Sequence, residues 1–127
     1  MAGENNKSIQ KNPLNELLTF IDNKTGDEVV MFYGAWMYII RGVLIKYAHK
    51  SEKEVCEILK MPYYQKPKSF FEALCLSHEL EYHWAMLGAY GEQYWLKGIS
   101  SQPPADYYEW YESYLRHNHL NNPFEWK

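Results

Sequence analysis

The sequence predicts an all-α fold, in which a single domain forms an irregular bundle of about five helices. Two observations favour helices. Apolar residues recur at helical spacing in every long segment, and two serines are each followed three residues later by glutamate, which is the capping-box pattern of a helix start. No repeat, low-complexity run or Gly/Ser linker divides the 127 residues. We therefore expect residues 13–127 to form one helical domain and the polar residues 1–12 to form a flexible tail.

The first two helices are predicted on either side of residues 23–26. Asn12 can cap a short helix with Pro13 at its first position. Its apolar stripe would contain Leu14, Leu17, Leu18 and Ile21. Asp27 is placed to cap a long apolar helix that reaches about His49. A strand over residues 29–33 is the rival interpretation. The apolar segment of residues 29–45 has no turn signal, however, and seventeen residues are too long for a strand, so the pattern favours a helix.

Three further helices follow, and two of them begin with a capping box. Ser51 with Glu54 predicts a helix to about residue 60, and Ser69 with Glu72 predicts a long helix to about residue 97. The fifth helix should begin after Asp106 and reach about residue 118.

The fifth helix has the clearest amphipathic pattern in the chain. One face carries aromatic and apolar side chains, and the opposite face carries mostly charged ones. The first set is Tyr107, Trp110, Tyr111, Tyr114 and Leu115, and the second is Asp106, Glu109, Glu112, Ser113 and Arg116. If the aromatic stripe packs in the core, Tyr108 lies at its edge beside the carboxylates.

Charge is distributed unevenly along the chain. The net charge is only −3, which argues against nucleic-acid binding through a basic surface. Residues 1–68 hold ten Lys or Arg against eight Asp or Glu, whereas residues 69–127 hold three against eight. The acidic half also holds fourteen of the twenty-two aromatic residues. Because Tyr and Trp are enriched at interface centres, this half indicates a basic partner, although a tyrosine-rich core would give the same composition.

The cysteines and the N-terminus predict a cytoplasmic protein. Cys56 and Cys75 have no CxxC spacing, so we expect free, buried thiols in a reducing compartment. The first twelve residues are polar and lack the apolar stretch of a secretory signal. Residues 29–45 are the most apolar segment, but Arg41 interrupts them and they are shorter than the ~20 residues that a spanning helix needs. No membrane association is expected.

The sequence matches no catalytic or metal-binding motif of the kinds that helical proteins commonly carry. His78 and His83 are five residues apart, whereas paired zinc ligands on one helical face are four apart. No glutamate is followed by histidine at the third position, as di-iron bundles require. The chain also lacks a GxSxG elbow and a Gly-rich phosphate loop. We therefore expect no enzyme activity, no metal and no cofactor.

A small, acidic, Tyr/Trp-rich helical chain without a catalytic motif resembles the immunity proteins that neutralise bacterial toxins of contact-dependent inhibition or type VI secretion systems. The resemblance covers general character and no diagnostic motif, so it carries over no functional residue. It implies a cytoplasmic inhibitor of a toxin domain. Many such toxins are nucleases with a basic cleft, which an acidic, aromatic surface complements.

The predicted partner-binding surface combines the acidic side of the fifth helix with the glutamate line of the fourth. Its residues are Glu72, Glu79, Asp106, Tyr108, Glu109 and Glu112. The basic loop of residues 63–68 is the alternative interface. Two other functions stay open: an adaptor or phage-encoded inhibitor of a host nucleic-acid machine, and an enzyme that uses a helix cluster of Glu72, Glu79 and His83. An ordinary solvated Glu–His stripe would look the same, and the oligomeric state stays open.

Overall fold

The computed structural model describes residues 13–127, which form five α-helices and a three-stranded antiparallel sheet. The strands are β1 (Leu17–Ile21), β2 (Glu28–Phe32) and β3 (Phe124–Trp126); the helices are α1 (Tyr33–Lys46), α2 (Glu52–Ile58), α3 (Phe70–Ser77), α4 (Glu81–Tyr90) and α5 (Tyr107–His117). Short 3-10 helices lie at Pro13–Asn15, Pro62–Tyr64 and Tyr94–Lys97. The all-α prediction is therefore wrong, and the fold is mixed. The predicted tail lies outside the described residues.

The predicted first helix is a β-hairpin. β1 pairs with β2 in antiparallel register, with Leu17 opposite Phe32 and Ile21 opposite Glu28. Burial alternates along β1, which is the period of a strand with one covered face. Two backbone hydrogen bonds of 2.8 Å close the loop between the strands: the N–H of Asp22 donates to the Asp27 carbonyl, and the N–H of Gly26, whose φ is +80°, donates to the Asp22 carbonyl. Asp27 therefore belongs to a hairpin loop and caps no helix.

The long apolar segment changes from strand to helix within one residue. β2 ends at Phe32, which has no side-chain capping hydrogen bond, and α1 begins at Tyr33. The strand interpretation of residues 29–33 that we rejected is therefore nearly right. The length argument failed because the chain makes this transition without a turn, Gly or Pro between the two elements. Gly34 lies against the backbone of Leu14, where an added Cβ would come within 2.9 Å of the Leu14 Cα atom.

The third strand comes from the far end of the described chain. β3 pairs antiparallel with β2, with Val29 opposite Trp126 and Met31 opposite Phe124. β2 is therefore the central strand of the sheet in the order β1–β2–β3. This explains why the four residues Val29, Val30, Met31 and Phe32 are all buried. In the sequence, a central strand that is covered on both faces appears as a continuous apolar run.

Helix α1 lies at the centre of the hydrophobic core. Trp36, Ile39, Ile40 and Val43 are each at most 1% exposed, as the helical spacing predicts. Gly42 lets α5 approach α1, because a Cβ there would stand 2.6 Å from the ring of Tyr114. This close approach positions α5, and with it the acidic side chains of the predicted surface. No described helix reaches the length and apolarity that crossing a bilayer requires.

The capping box of α2 is confirmed. The backbone N–H of Glu54 donates to Ser51 Oγ at 3.2 Å, and the backbone N–H of Ser51 donates to Glu54 Oε1 at 2.9 Å. The hydrogen bond from the Ser51 backbone to the ionised carboxylate, and secondly the interaction with the Ser51 side chain, lower the pKa of Glu54. Both exposed amides of this helix start are therefore satisfied.

We expect Ser51→Ala to lower the free energy of unfolding by about 1 kcal/mol, because an alanine cannot accept the amide of the first turn. Urea denaturation monitored by circular dichroism measures this difference. Ser101→Ala is the matched control, since Ser101 is exposed in a loop and should leave the midpoint unchanged. Equal midpoints for both variants would contradict the capping role.

The predicted fourth helix is two helices. α3 ends at Ser77, the chain leaves helical geometry over residues 78–80, and α4 begins at Glu81. α4 ends at Tyr90 and is followed by Gly91, whose φ is +88°, so residues 91–97 do not continue it. Gly98 adopts the left-handed conformation that often follows a helix end, with φ at +91° after a 3-10 helix.

The cysteine prediction is half right. Cys56 and Cys75 are both free, but both are exposed. Cys56 lies beside buried Val55 on α2 and points to the solvated side of that short helix. Cys75 is exposed on α3, in which Ala73 is the buried residue.

Candidate functional site

The break between α3 and α4 opens a cleft against the start of α5. We call it the tyrosine cleft. Its volume is about 330 Å³, and its lining consists of Ser77, His78, Glu79, Leu80, Glu81, Tyr107, Tyr108 and Tyr111. The residues from the α3–α4 connection form one wall, and three tyrosines of α5 form the other. Among the described residues, no lysine or arginine lines it.

Glu81 forms the acidic floor of this cleft. Its side chain is only 7% exposed, which makes it the buried charged residue of the described chain. Burial raises the pKa of the Glu81 carboxyl to about 7, while hydrogen bonds from the Tyr111 hydroxyl and its own backbone N–H act in the opposite direction. Glu81 therefore changes its charge near neutral pH, because desolvation disfavours the carboxylate.

The tyrosines next to Glu81 are held in their neutral form. Burial, and secondly the charge of Glu81, raise the pKa of both Tyr107 and Tyr111. Tyr111 donates its hydroxyl to the Glu81 carboxylate. The Tyr107 hydroxyl approaches the backbone N–H of Tyr82 without reaching hydrogen-bond geometry, so it has no partner among residues 13–127. One phenol therefore bonds to the Glu81 carboxylate, and a second buried phenol lies within range of its charge.

The rim of the cleft is exposed and partly aromatic. Tyr108 is 60% exposed, and its ring meets that of Tyr107 edge to face at a centroid distance of 5.3 Å. Tyr108 therefore lies at the border between the buried stripe and the carboxylates, as the helical projection predicts. Glu79 is exposed on the opposite wall. This arrangement brings the predicted residues Glu79 and Tyr108 to one site.

The other predicted residues of α5 continue the acidic surface away from the cleft. Glu109 and Glu112 are exposed and make no ion pair with any described residue. Asp106 differs, since it accepts a hydrogen bond from the Tyr47 hydroxyl at 3.1 Å and lies 3.6 Å from Lys46 Nζ. Its charge is already partly balanced within the chain. Asp106 also provides no side-chain cap for α5.

Glu72 and His83 do not join this site. Glu72 lies in the first turn of α3, where its backbone N–H donates to Ser69 Oγ at 3.1 Å and its carboxylate accepts from the backbone of Lys68 at 2.9 Å. The His83 Nδ1 atom is 2.8 Å from the Tyr94 hydroxyl. The break at residues 78–80 thus disperses the predicted line of Glu72, Glu79 and His83.

The alternative interface, residues 63–68, lines a separate depression of about 400 Å³ with α3. Tyr64 belongs to the core, since it is 1% exposed and donates its hydroxyl to the Trp84 carbonyl at 2.6 Å. Lys66 and Lys68 are exposed, and Lys66 Nζ stands 5.5 Å from the centre of the Tyr33 ring. This loop therefore exposes two lysines to solvent, while its Tyr64 side chain is packed in the core.

Side chains able to hold a metal ion are not grouped in the part of the chain that the structure describes. In that part of the chain, no three His, Cys, Asp or Glu side chains are arranged so that they could hold one metal ion. The tyrosine cleft has instead the parts of a site for a cation: a carboxylate of limited solvation, neutral phenols and an exposed aromatic ring. It could also transfer a proton, because a carboxyl with a pKa near 7 exists in both forms at neutral pH.

Sequence reasoning missed Glu81, the residue at the centre of the cleft. It was assigned to the middle of one long helix, where nothing marked it as buried. One signal was available: the acidic first turn of a helix favours Glu, and His78 with Glu79 could have suggested a helix end before it. Its burial under α5 depends on tertiary packing.

No protein-family model, curated protein or solved structure matches this chain.

Proposed function

We propose that this chain is a cytoplasmic immunity protein that binds and neutralises a cognate toxin domain with a basic surface, such as a nuclease. The observation that carries the proposal is the tyrosine cleft together with the exposed Glu109 and Glu112 on the same helix. Such a surface combines aromatic anchors with unbalanced negative charge. A nuclease cleft that binds phosphate presents the opposite charge.

The two parts of the surface would contribute differently to binding. Exposed carboxylates such as Glu109 and Glu112 mainly accelerate the encounter with a positively charged partner. Tyr108, which is 60% exposed and backed by Tyr107, offers a rigid ring that loses little conformational freedom when it is covered. The same surface would serve an adaptor or an inhibitor of a host nucleic-acid machine, and the gene next to this one separates these partners.

A second candidate, an enzyme that uses acid–base catalysis, is favoured by one observation. Glu81 has a pKa of about 7 inside a cleft, which suits a group that gives and takes a proton at neutral pH. His83, which the sequence grouped with Glu72 and Glu79 in a possible acid–base cluster, bonds to Tyr94 outside the cleft. Under this hypothesis Glu81→Gln abolishes the cellular effect of the chain while binding to its target persists.

Protection of growing cells tests the proposed function. We expect co-expression of this chain to restore growth of cells that produce the toxin domain encoded by the neighbouring gene. A triple variant, Tyr108→Ala with Glu109→Lys and Glu112→Lys, should protect poorly, because it removes the exposed ring and reverses the surface charge. The matched control is Glu16→Lys with Glu92→Lys, two exposed carboxylates elsewhere. Growth arrest despite the wild-type chain would refute the proposal.

A further inference from the structure

We propose that the tyrosine cleft receives a single arginine side chain of the partner, with its guanidinium beside Glu81 and against the ring of Tyr108. The identity of the protein that supplies the arginine rests on the proposed function, but the cleft itself can be tested alone. The cleft would be the specificity pocket of the acidic surface.

The size of the cleft fits one long side chain. Its volume of about 330 Å³ lies at the lower end of the range for small-ligand pockets. One wall is the ordered turn between α3 and α4, and the other is α5, so the cleft exists before a ligand binds. A preformed pocket reduces the entropy that binding must offset.

Two unsatisfied features of the cleft call for a cation that carries several donors. The Glu81 carboxylate is 7% exposed and has no lysine, arginine or ion pair to balance it among the described residues. The fully buried Tyr107 hydroxyl has no hydrogen-bond partner there either. A guanidinium has five N–H groups in one plane, so it can donate to the Glu81 carboxylate and to the Tyr107 hydroxyl at once.

The choice of arginine over lysine follows from the aromatic wall and the burial. A guanidinium is planar, stacks on aromatic rings and is less strongly hydrated than an ammonium group. It therefore loses less hydration free energy when it enters a cleft whose charged group is buried. The exposed ring of Tyr108 stands where such stacking is possible, at the open side of the cleft.

The experiment is a titration of the ¹⁵N-labelled chain with three blocked tripeptides, followed by amide chemical shifts. The peptides are Gly-Arg-Gly, Gly-Lys-Gly and Gly-citrulline-Gly, in which citrulline is the neutral isostere of arginine. We expect the arginine peptide to shift the amides of residues 78–81 and 107–111 in a saturable way. The lysine peptide should bind about threefold or more weakly, and the citrulline peptide should not saturate.

Three variants assign the binding to the cleft. Glu81→Gln should weaken the arginine peptide by about tenfold or more, because a charge-assisted bond is lost. Tyr108→Leu should weaken it by about threefold, and this exposed site leaves the core intact. Glu92→Gln removes the same charge from an exposed position outside the cleft and the acidic surface, and should have little effect. Equal binding of the arginine and citrulline peptides, or unchanged affinity in Glu81→Gln, would overturn the inference.

The pH dependence adds a readout specific to Glu81. The titratable groups that line the cleft with Glu81 are Tyr107, Tyr108 and Tyr111 from α5, and His78 and Glu79 from the connection. The two buried tyrosines stay neutral at pH 8, since their pKa values are raised. Affinity should therefore rise from pH 6 to pH 8 as Glu81 ionises, and Glu81→Gln should remove most of this rise. A wild-type affinity that falls over this range would count against the inference.

The outcomes separate this inference from the proposed function. Saturable arginine binding without protection of cells would support the pocket and refute the immunity role. Protection of cells by a chain that does not distinguish arginine from citrulline would support the immunity role and refute the pocket.

Discussion

Glu81→Gln should stabilise the protein at pH 8 by about 3 kcal/mol and leave its stability nearly unchanged at pH 4.5. Burial raises the pKa of the Glu81 carboxyl from its ordinary value of 4.5 to about 7, and this difference corresponds to about 3 kcal/mol. The folded chain therefore binds a proton more tightly than the unfolded chain. As pH rises from 4.5 to 7 the stability contributed by this residue falls, and above pH 7 the whole loss is present.

The measurement is urea denaturation of both proteins at several pH values between 4.5 and 8. A glutamine keeps an oxygen for the Tyr111 hydroxyl but cannot become charged. The difference between the two proteins cancels the titration of other groups, including Glu54, whose lowered pKa acts in the opposite sense. Glu79→Gln is the control, because Glu79 is an exposed neighbour. A stabilisation that does not change with pH would contradict the burial of an ionisable Glu81.

The helices were more predictable than the strands because their signals are local. Ser51 and Glu54 mark a helix start within four residues, and the structure contains both of their bonds. The core of α1 likewise follows from its spacing, with Trp36 and Ile40 fully buried. The pairing of Val30 with Glu125 joins positions almost a hundred residues apart, and no local pattern carries that information.

The error over residues 14–21 has a specific physical cause. Leu14, Leu17, Leu18 and Ile21 fit a helical stripe, but Leu17 and Ile21 are 54% and 57% exposed in the folded chain. The alternation that counts is that of Leu18 and Phe20, which are partly buried on the other face of β1. Over five residues, a helical period of 3.6 and a strand period of 2 place the apolar positions within one or two residues of each other, so the spacing does not separate the two structures. The turn residues Asp22–Gly26 were therefore the more informative signal.

The candidate site was partly predictable for the same reason. The amphipathic pattern of α5 placed Tyr107 in the core and Tyr108 at its edge, and their exposures are 0% and 60%. The cleft itself depends on the chain leaving helical geometry at residues 78–80, where no Gly or Pro marks the break. That break moved Glu72 away from Glu79 and placed Glu81 under α5.

Reversing Glu109 and Glu112 together to lysine should slow association with the basic partner by about tenfold or more and flatten its salt dependence. Both carboxylates are exposed and unpaired with any described cation, so their field reaches into solvent. Tyr108→Ala should act on the dissociation rate, because the substitution removes a ring that the partner covers in the complex. Its dissociation should accelerate, and binding should weaken by about 1 to 4 kcal/mol.

The most direct test of the acidic surface is therefore surface plasmon resonance of these variants against the toxin domain encoded by the neighbouring gene. Circular dichroism first establishes that each variant is folded, and Glu16→Lys with Glu92→Lys serves as the charge-matched control. The predicted result is slower association for the double reversal, faster dissociation for Tyr108→Ala and wild-type rates for the control. Unchanged rates for all three substitutions would remove α5 from the interface and make the basic loop of residues 63–68 the next surface to test.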